Sequence, residues 1–227
     1  LVNPVTVCEG SSATLTATGT STSYSWNTGA TTAGLTINPV SATATYTVTG
    51  TSAASCTNTA TGTITMNPRP VLTSATATQS VCSGATVNSI SFNTNPAAGV
   101  NVNWTNSNAA IGLPVSGTGT TINGYTAPNV ISQTQGPISV IVTNSGTGCS
   151  SLSTAAGTVT INPNPTITTP STPTNPVTCG GSNGSLNGLV VSGTPTITYS
   201  WNGGAFSGAN ISGLAAGGYN LTATDGN

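Results

Sequence analysis

The sequence predicts an all-β chain built as tandem sandwich domains arranged as an elongated rod, and three observations carry that expectation. First, Thr, Ser, Gly, Asn and Ala dominate, with short apolar alternations between them. Thr and Val favour strands, while Gly, Asn and Pro mark turns. Second, a tryptophan-bearing segment occurs three times: Tyr24-Ser25-Trp26-Asn27, Val102-Asn103-Trp104-Thr105 and Tyr199-Ser200-Trp201-Asn202. Each follows one cysteine at similar distance, Cys8, Cys82 and Cys179 in turn. Repetition of this kind decides architecture before any other signal. Third, alternating stretches end in Asn-Pro at Asn67-Pro68 and Asn162-Pro163. Proline lacks a ladder donor and restrains the residue before it, so strand pairing stops there.

The Asn-Pro-x-Pro segments read as short, stiff linkers, which divides the chain into residues 1–69, 70–164 and 165–227. In the first unit Ala13 to Ala17 alternates with Leu15 inward, and Tyr24 and Trp26 share a strand face. Leu35 with Ile37, Tyr46 with Val48, and Ile64 with Met66 supply further inward pairs. Leu1 to Pro4 read as the tail of a preceding unit or its linker. In the second unit Ile90 and Phe92 share a face, as do Val100, Val102 and Trp104, and Ile138, Val140 and Val142 lead to Cys149. Its extra length, between Trp104 and Gly136, is Gly-, Asn- and Thr-rich and reads as a long hairpin or loop on one sheet, a place where binding is often carried. In the third unit Ile197, Tyr199 and Trp201 point one way, and Tyr219 to Ala223 forms a later strand. Turn signals recur at the spacing expected of sandwiches.

Five cysteines, Cys8, Cys56, Cys82, Cys149 and Cys179, form no C-x-x-C pair, and the chain has no His, so zinc is not expected. The simplest pairing is within units, Cys8 with Cys56 and Cys82 with Cys149, each worth roughly 4 kcal/mol in the chain-entropy account. Tyr219 stands where Tyr46 stands before Cys56, so the partner of Cys179 is expected just beyond Asn227, in a longer chain. Trp26, Trp104 and Trp201 are expected in the cores, as one strand-borne Trp per sandwich usually is; exposed, they would instead stack on sugars.

Charge scarcity excludes several function classes. Glu9, Arg69 and Asp225 are the only charged side chains in 227 residues. One Arg cannot neutralise a phosphate track, so nucleic acid is not an expected partner. No apolar run is long enough to span a membrane. Acid–base catalysis needs paired titratable groups, and Glu9 and Asp225 belong to different units; a Ser nucleophile would lack an activating base. An enzyme is therefore not expected, nor a cofactor, and calcium sites usually gather more carboxylates than this chain holds. Without Lys there can be no Lys–Asn isopeptide. Runs such as Thr43-Ala44-Thr45 read as polar strand surface rather than an ice-binding face.

The third unit resembles the SprB-type repeat of Bacteroidota gliding-motility adhesins. The matching residues are Cys179-Gly180-Gly181-Ser182-Asn183-Gly184-Ser185, Thr198-Tyr199-Ser200-Trp201-Asn202, Ile211-Ser212-Gly213-Leu214-Ala215-Ala216-Gly217-Gly218-Tyr219, and Thr224-Asp225-Gly226-Asn227. The first two units resemble the Ig-like and PKD-like modules of the same large proteins, although no aromatic residue precedes Cys149 as Tyr46 precedes Cys56. The resemblance implies tandem Ig-like β-sandwiches in a very long chain exported by the type IX route to the cell surface. There it would act as stalk and adhesive repeat, with neighbouring repeats and surface glycans as partners. Two alternatives compete: a carbohydrate-binding module, sited in the second unit's insertion or the Gly-rich loops of the third, and a self-assembling filament subunit.

Overall fold

The structure, a computed structural model, describes residues 1–168, 173–176, 180–193 and 196–226. Apart from a 3₁₀ turn at Ala109–Ile111, the regular elements described are strands, and they form successive Ig-like sandwiches. No helix among the described residues is long and apolar enough to cross a membrane.

The first sandwich contains β1 (Val5–Cys8), β2 (Ala13–Thr16), β3 (Ser23–Trp26), β4 (Gly34–Ile37), β5 (Ala44–Thr51) and β6 (Thr57–Asn67). One sheet has the order β1-β6-β5-β3 and faces the β2-β4 pair. Strand alternation sets the core: in β2 Ala13 and Leu15 are buried while Thr14 and Thr16 face water. Leu15, Trp26, Leu35, Val48 and Ile64 meet in the middle. Thr14 with Thr36 and Thr45 with Thr63 exchange hydroxyl hydrogen bonds on the outer faces. Leu1 to Pro4 are not a detached tail. Val2 pairs with Ala17 and is buried in this core, against Gly62, where burial removes its apolar side chain from water.

The second sandwich contains β7 (Val71–Ala75), β8 (Gln79–Cys82), β9 (Thr86–Val87), β10 (Ile90–Asn95), β11 (Val100–Asn106), β12 (Ser116–Thr118), β13 (Thr121–Ile122), β14 (Tyr125–Thr126), β15 (Thr134–Asn144) and β16 (Thr154–Asn162). Its main sheet runs β12-β11-β15-β16-β8, against β13-β10-β7 and the β14-β9 pair. The residues between Trp104 and Gly136 are not a projecting hairpin on one sheet, as expected from their composition. They are divided among three sheets and contribute Ile111, Leu113, Ile122 and Ala127 to the buried core. Isolated apolar residues in a polar stretch were enough to fold it inward, since each removes apolar area from water.

The third sandwich contains β17 (Thr166–Thr168), β18 (Gly184–Leu186), β19 (Val190–Ser192), β20 (Thr198–Trp201), β21 (Ile211–Leu214) and β22 (Leu221–Thr224). These form the pairs β17-β19, β18-β21 and β20-β22 around Leu189, Trp201, Ile211 and Leu214. The buried clusters of the three sandwiches draw on separate stretches of sequence.

The cysteine pairing expected from sequence is overturned. Cys8 is bonded to Cys149, 141 residues away and in the next sandwich, while Cys56 and Cys82 are thiols. Strand direction is the reason. β1 lies parallel to β6 with Cys8 level with Asn67, whereas Cys56 precedes Thr57 at the other end of that eleven-residue strand. In the same way Cys82 is level with Asn162 at the end of β16, and Cys149 precedes its start. At about 3.3 Å per residue, each intra-unit pair is separated by some 30 Å, far beyond the reach of a disulfide. Cys179 and its expected partner lie outside the described residues.

Candidate functional site at the first joint

In the first two sandwiches the strand that leaves does so beside the cysteine that ends a short parallel strand, Cys8 beside β6 and Cys82 beside β16. The backbone N–H of Glu9 donates to Asn67 O at 2.9 Å, which fixes Cys8 and Glu9 against the exit of β6. Pro68, Arg69 and Pro70 then carry the chain into β7. The β15–β16 hairpin of the second sandwich comes back to the same place. Its loop is tightened by Asn144, whose side-chain Oδ1 accepts from the N–H of Gly146 and Thr147 and whose own N–H donates to Cys149 O. Gly148, at φ 72°, turns the chain so that Cys149 points at Cys8. The two Cα atoms are 5.5 Å apart, and Cys149 is 1% exposed.

The chain's only cationic side chain closes this joint. Arg69 Nε donates to Glu9 O at 2.7 Å in the first sandwich, and Arg69 Nη1 donates to Ser150 O at 2.6 Å in the second. The Arg69 N–H also reaches Glu9 Oε2 at 3.4 Å. Two of the three charged residues in the sequence therefore meet at one place, each side chain on the other's backbone. Arg suits the task because its planar fork can donate in two directions at once. Beside it runs a groove of about 600 Å³ lined by Glu9, Pro70, Val71, Leu72 and Leu152, with Leu152 largely exposed. Replacing Arg69 by Ala should loosen the joint by about 1 kcal/mol, since the lost charge-assisted bonds lie near solvent. The expected readout is a roughly fivefold faster reduction of Cys8–Cys149 by dithiothreitol; an unchanged rate would show that Arg69 does not hold the joint closed.

The tryptophans are buried: Trp26 is 2%, Trp104 6% and Trp201 4% exposed. Trp26 Nε1 donates to Thr32 O and Trp201 Nε1 to Gly208 O, both at 2.9 Å. The residue that follows each is a clamp. Asn27 Oδ1 accepts from Thr47 N–H and Asn202 Oδ1 from Asn220 N–H, tying the end of the tryptophan strand to the middle of β5 or the entry of β22. The shared Tyr-Ser-Trp-Asn segment is thus one building unit used twice. In the second sandwich Asn106 takes a different part, donating to Asn108 O and Leu113 O. Trp104 lies flat against Gly117, where a Cβ would enter its ring. None of the three rings is available for stacking on a sugar.

Other chemistry is sparse. Among the described residues no three His, Cys, Asp or Glu side chains gather where an ion could sit. Glu9 is in the first sandwich and Asp225 follows the last strand of the third. Burial raises the pKa of the Tyr125 phenol above its ordinary value. The Gly-rich loops of the third sandwich border a groove of about 570 Å³ lined by Pro173, Thr174, Gly181, Leu214 and Tyr219. Sequence reasoning did not find Arg69 or Ser150. The signal available was a lone charge inside Asn-Pro-Arg-Pro, where the second linker reads Asn-Pro-Asn-Pro.

No protein-family model matches this sequence, and no curated protein matches it. Among solved structures the chain is similar to a three-Ig-domain fragment of titin carrying Glu-to-Ala changes, at 14% identity over 99% of this chain and 92% of that one, TM-score 0.47. It is also similar to the two-domain IG1+IG2 structure of DIP-gamma, at 14% identity over 70% and 94%, TM-score 0.34. A third likeness is to the fibronectin(III)-like modules of CbhA from Clostridium thermocellum, at 13% identity over 70% and 89%, TM-score 0.31. These likenesses concern the fold alone.

Proposed function

We propose that this chain is a segment of a very large secreted cell-surface adhesin, of the SprB-type gliding-motility kind that its third unit resembles. In this reading it serves as structural stalk and adhesive repeat. The observation that carries the proposal is the first joint, where a disulfide and a two-way arginine link consecutive sandwiches end to end. A linkage of that sort has direct use in a chain that must keep its direction and transmit load. Disulfides persist outside the reducing cytosol, which fits an extracellular place. The near absence of charge makes the surface insensitive to salt and pH. Neighbouring repeats are the immediate partners, and surface glycans the distal ones. The chain has no catalytic part in this reading, because its two carboxylates belong to different sandwiches.

Small-angle scattering tests the stalk. Three end-to-end sandwiches of roughly 30 Å each would span about 100 Å, with a radius of gyration near 30 Å. A compact chain of this length would have about 17 Å. A value near the lower figure would remove the stalk reading.

A further inference from the structure

We infer that Cys56 and Cys82 are the open halves of two more inter-unit disulfides of the Cys8–Cys149 kind. Cys82 takes the last-hairpin cysteine of the sandwich that follows, and Cys56 takes the parallel-strand cysteine, the counterpart of Cys8 and Cys82, of the sandwich that precedes. The inference rests on the geometry of the joint and not on adhesion.

The end of the second sandwich that carries Cys82 is built like the end of the first that carries Cys8. Both cysteines finish a short strand lying parallel to the last strand of the sandwich, level with its closing Asn, Asn67 for Cys8 and Asn162 for Cys82. Glu9 N–H donates to Asn67 O, and Ser83 N–H donates to Asn162 O. Ser11 N–H returns to Cys8 O, and Ala85 N–H to Cys82 O, both at 3.0 Å. The glycine between has a left-handed φ in both, 75° at Gly10 and 79° at Gly84. The linker repeats the contact as well: Arg69 Nε donates to Glu9 O, and Asn164 Nδ2 donates to Ser83 O. Cys82 therefore occupies the position from which Cys8 reaches into the next sandwich.

The hairpin ends match in the same way. Cys56 O accepts from Ser52 N–H, and Cys149 O accepts from Asn144 N–H. The residue before each cysteine is left-handed, Ser55 at φ 61° and Gly148 at φ 72°. A non-glycine residue in that region is uncommon, so the loop shape at Cys56 is specified rather than incidental. Leu1 lies there too: Leu1 and Cys56 line one groove of about 370 Å³, and the Leu1 amine donates to Thr18 O. In the second sandwich Val71 and Leu72, the start of its first strand, share a groove with Ser151 and Leu152 beside Cys149. The first two sandwiches are each entered beside the hairpin cysteine and left beside the cysteine that ends the short parallel strand, Cys8 on β1 and Cys82 on β8. Cys56, exposed, and Cys82, half-buried, lie at opposite ends of the two-sandwich block and cannot bond each other within it.

The bonds would form by ordinary exchange with an external disulfide donor. One thiolate attacks the donor, giving a mixed disulfide; the second thiolate then attacks the protein sulfur and expels the donor as a dithiol, which takes up the two electrons and two protons. The resulting bonds interleave along the chain, because the loop closed by Cys8–Cys149 contains both Cys56 and Cys82.

The test is disulfide mapping on the full-length chain, isolated oxidised, alkylated without reduction and digested with pepsin. The acidic digest suppresses exchange, and with one Arg and no Lys in these 227 residues trypsin would leave them nearly whole. The expected result is a peptide containing Cys82 linked to the hairpin after β22, and one containing Cys56 linked to sequence before Leu1. In parallel, Cys82→Ser should leave one alkylatable thiol in that later hairpin with Cys8–Cys149 intact. Alkylated Cys56 and Cys82 in the oxidised full-length chain would overturn the inference, as would either bonded to Cys179 or to the other. Such a failure would leave the scattering test of the stalk untouched.

Discussion

Pulled from its two ends, the oxidised chain should refuse to extend through its first two sandwiches, and reduction should release about 470 Å of contour length. The load path explains the size of the effect. Tension entering at Leu1 runs along β1 to Cys8, crosses the disulfide to Cys149, and leaves along β16 through Asn162 and Pro163. The chain between the two cysteines, which are 141 residues apart in sequence, carries no tension while the bond holds. A stretched chain covers roughly 3.3–3.6 Å per residue, and Cys8 and Cys149 start with Cα atoms only 5.5 Å apart, so nearly all of that length is hidden. Force spectroscopy with handles at both termini, before and after dithiothreitol, reads it directly. Cys8→Ser should behave as the reduced chain does without any reductant. Equal extension in both states would mean that the bond does not lie in the load path.

The thermodynamic consequence of the same bond is smaller. Closing a loop of this size removes about 5 kcal/mol of chain entropy from the fully unfolded state, but the two sandwiches have separate cores. With one still folded, the closed loop contains a rigid body and the entropy at stake shrinks. Reduction should therefore separate the unfolding of the two sandwiches more than it weakens either.

The parts legible in the sequence were those fixed by local chemistry. Leu15 between Thr14 and Thr16, the tryptophan strands, and the Asn-Pro stops all act within a few residues, and the all-β fold follows from them. Cysteine pairing was not legible, because it depends on which strand ends meet. Reading Cys8 with Cys56 assumed that nearness in sequence means nearness in space, whereas the parallel pairing of β1 with β6 places them at opposite ends of the sandwich. That assumption also gave each sandwich a disulfide of its own and left the joints between sandwiches without one. The cross-link instead joins the first two at defined ends. The folding of residues between Trp104 and Gly136 was hidden for a different reason: Ile111, Leu113 and Ile122 follow neither a two-residue nor a helical period, and each answers to a different sheet or turn. Arg69 showed in the sequence only as a lone cation; its two carbonyl acceptors place it between sandwiches.

Replacing Trp201 by Ala should unfold the third sandwich, while the same change at Trp104 should leave the second folded and weaker. Truncating a buried Trp costs about 3–5 kcal/mol whichever core it leaves; what differs is what remains. Around Trp201 the buried apolar residues among those described are Leu189, Ile211 and Leu214, with Phe206 and Tyr219 partly buried and edge-to-face at 6.1 Å. Domain stabilities of about 5–15 kcal/mol fall toward the lower end when the core is small, so the loss approaches the whole. Trp104 shares its core with Ile90, Phe92, Ile111, Ile138, Val140 and Val142, among others, and these persist without it. Hydrogen exchange resolved by sandwich would separate the two outcomes; retained protection of β20–β22 in the Trp201 variant would contradict the argument. Gly117 supplies an internal control. Gly117→Ala alone drives a methyl into the Trp104 ring and should cost about 1–3 kcal/mol by overpacking. In the Trp104→Ala background the methyl enters space the ring has vacated, so most of that cost should vanish. A coupling near zero would mean that the ring does not rest on Gly117 in solution, and the tryptophan would again be a candidate for contact with a ligand.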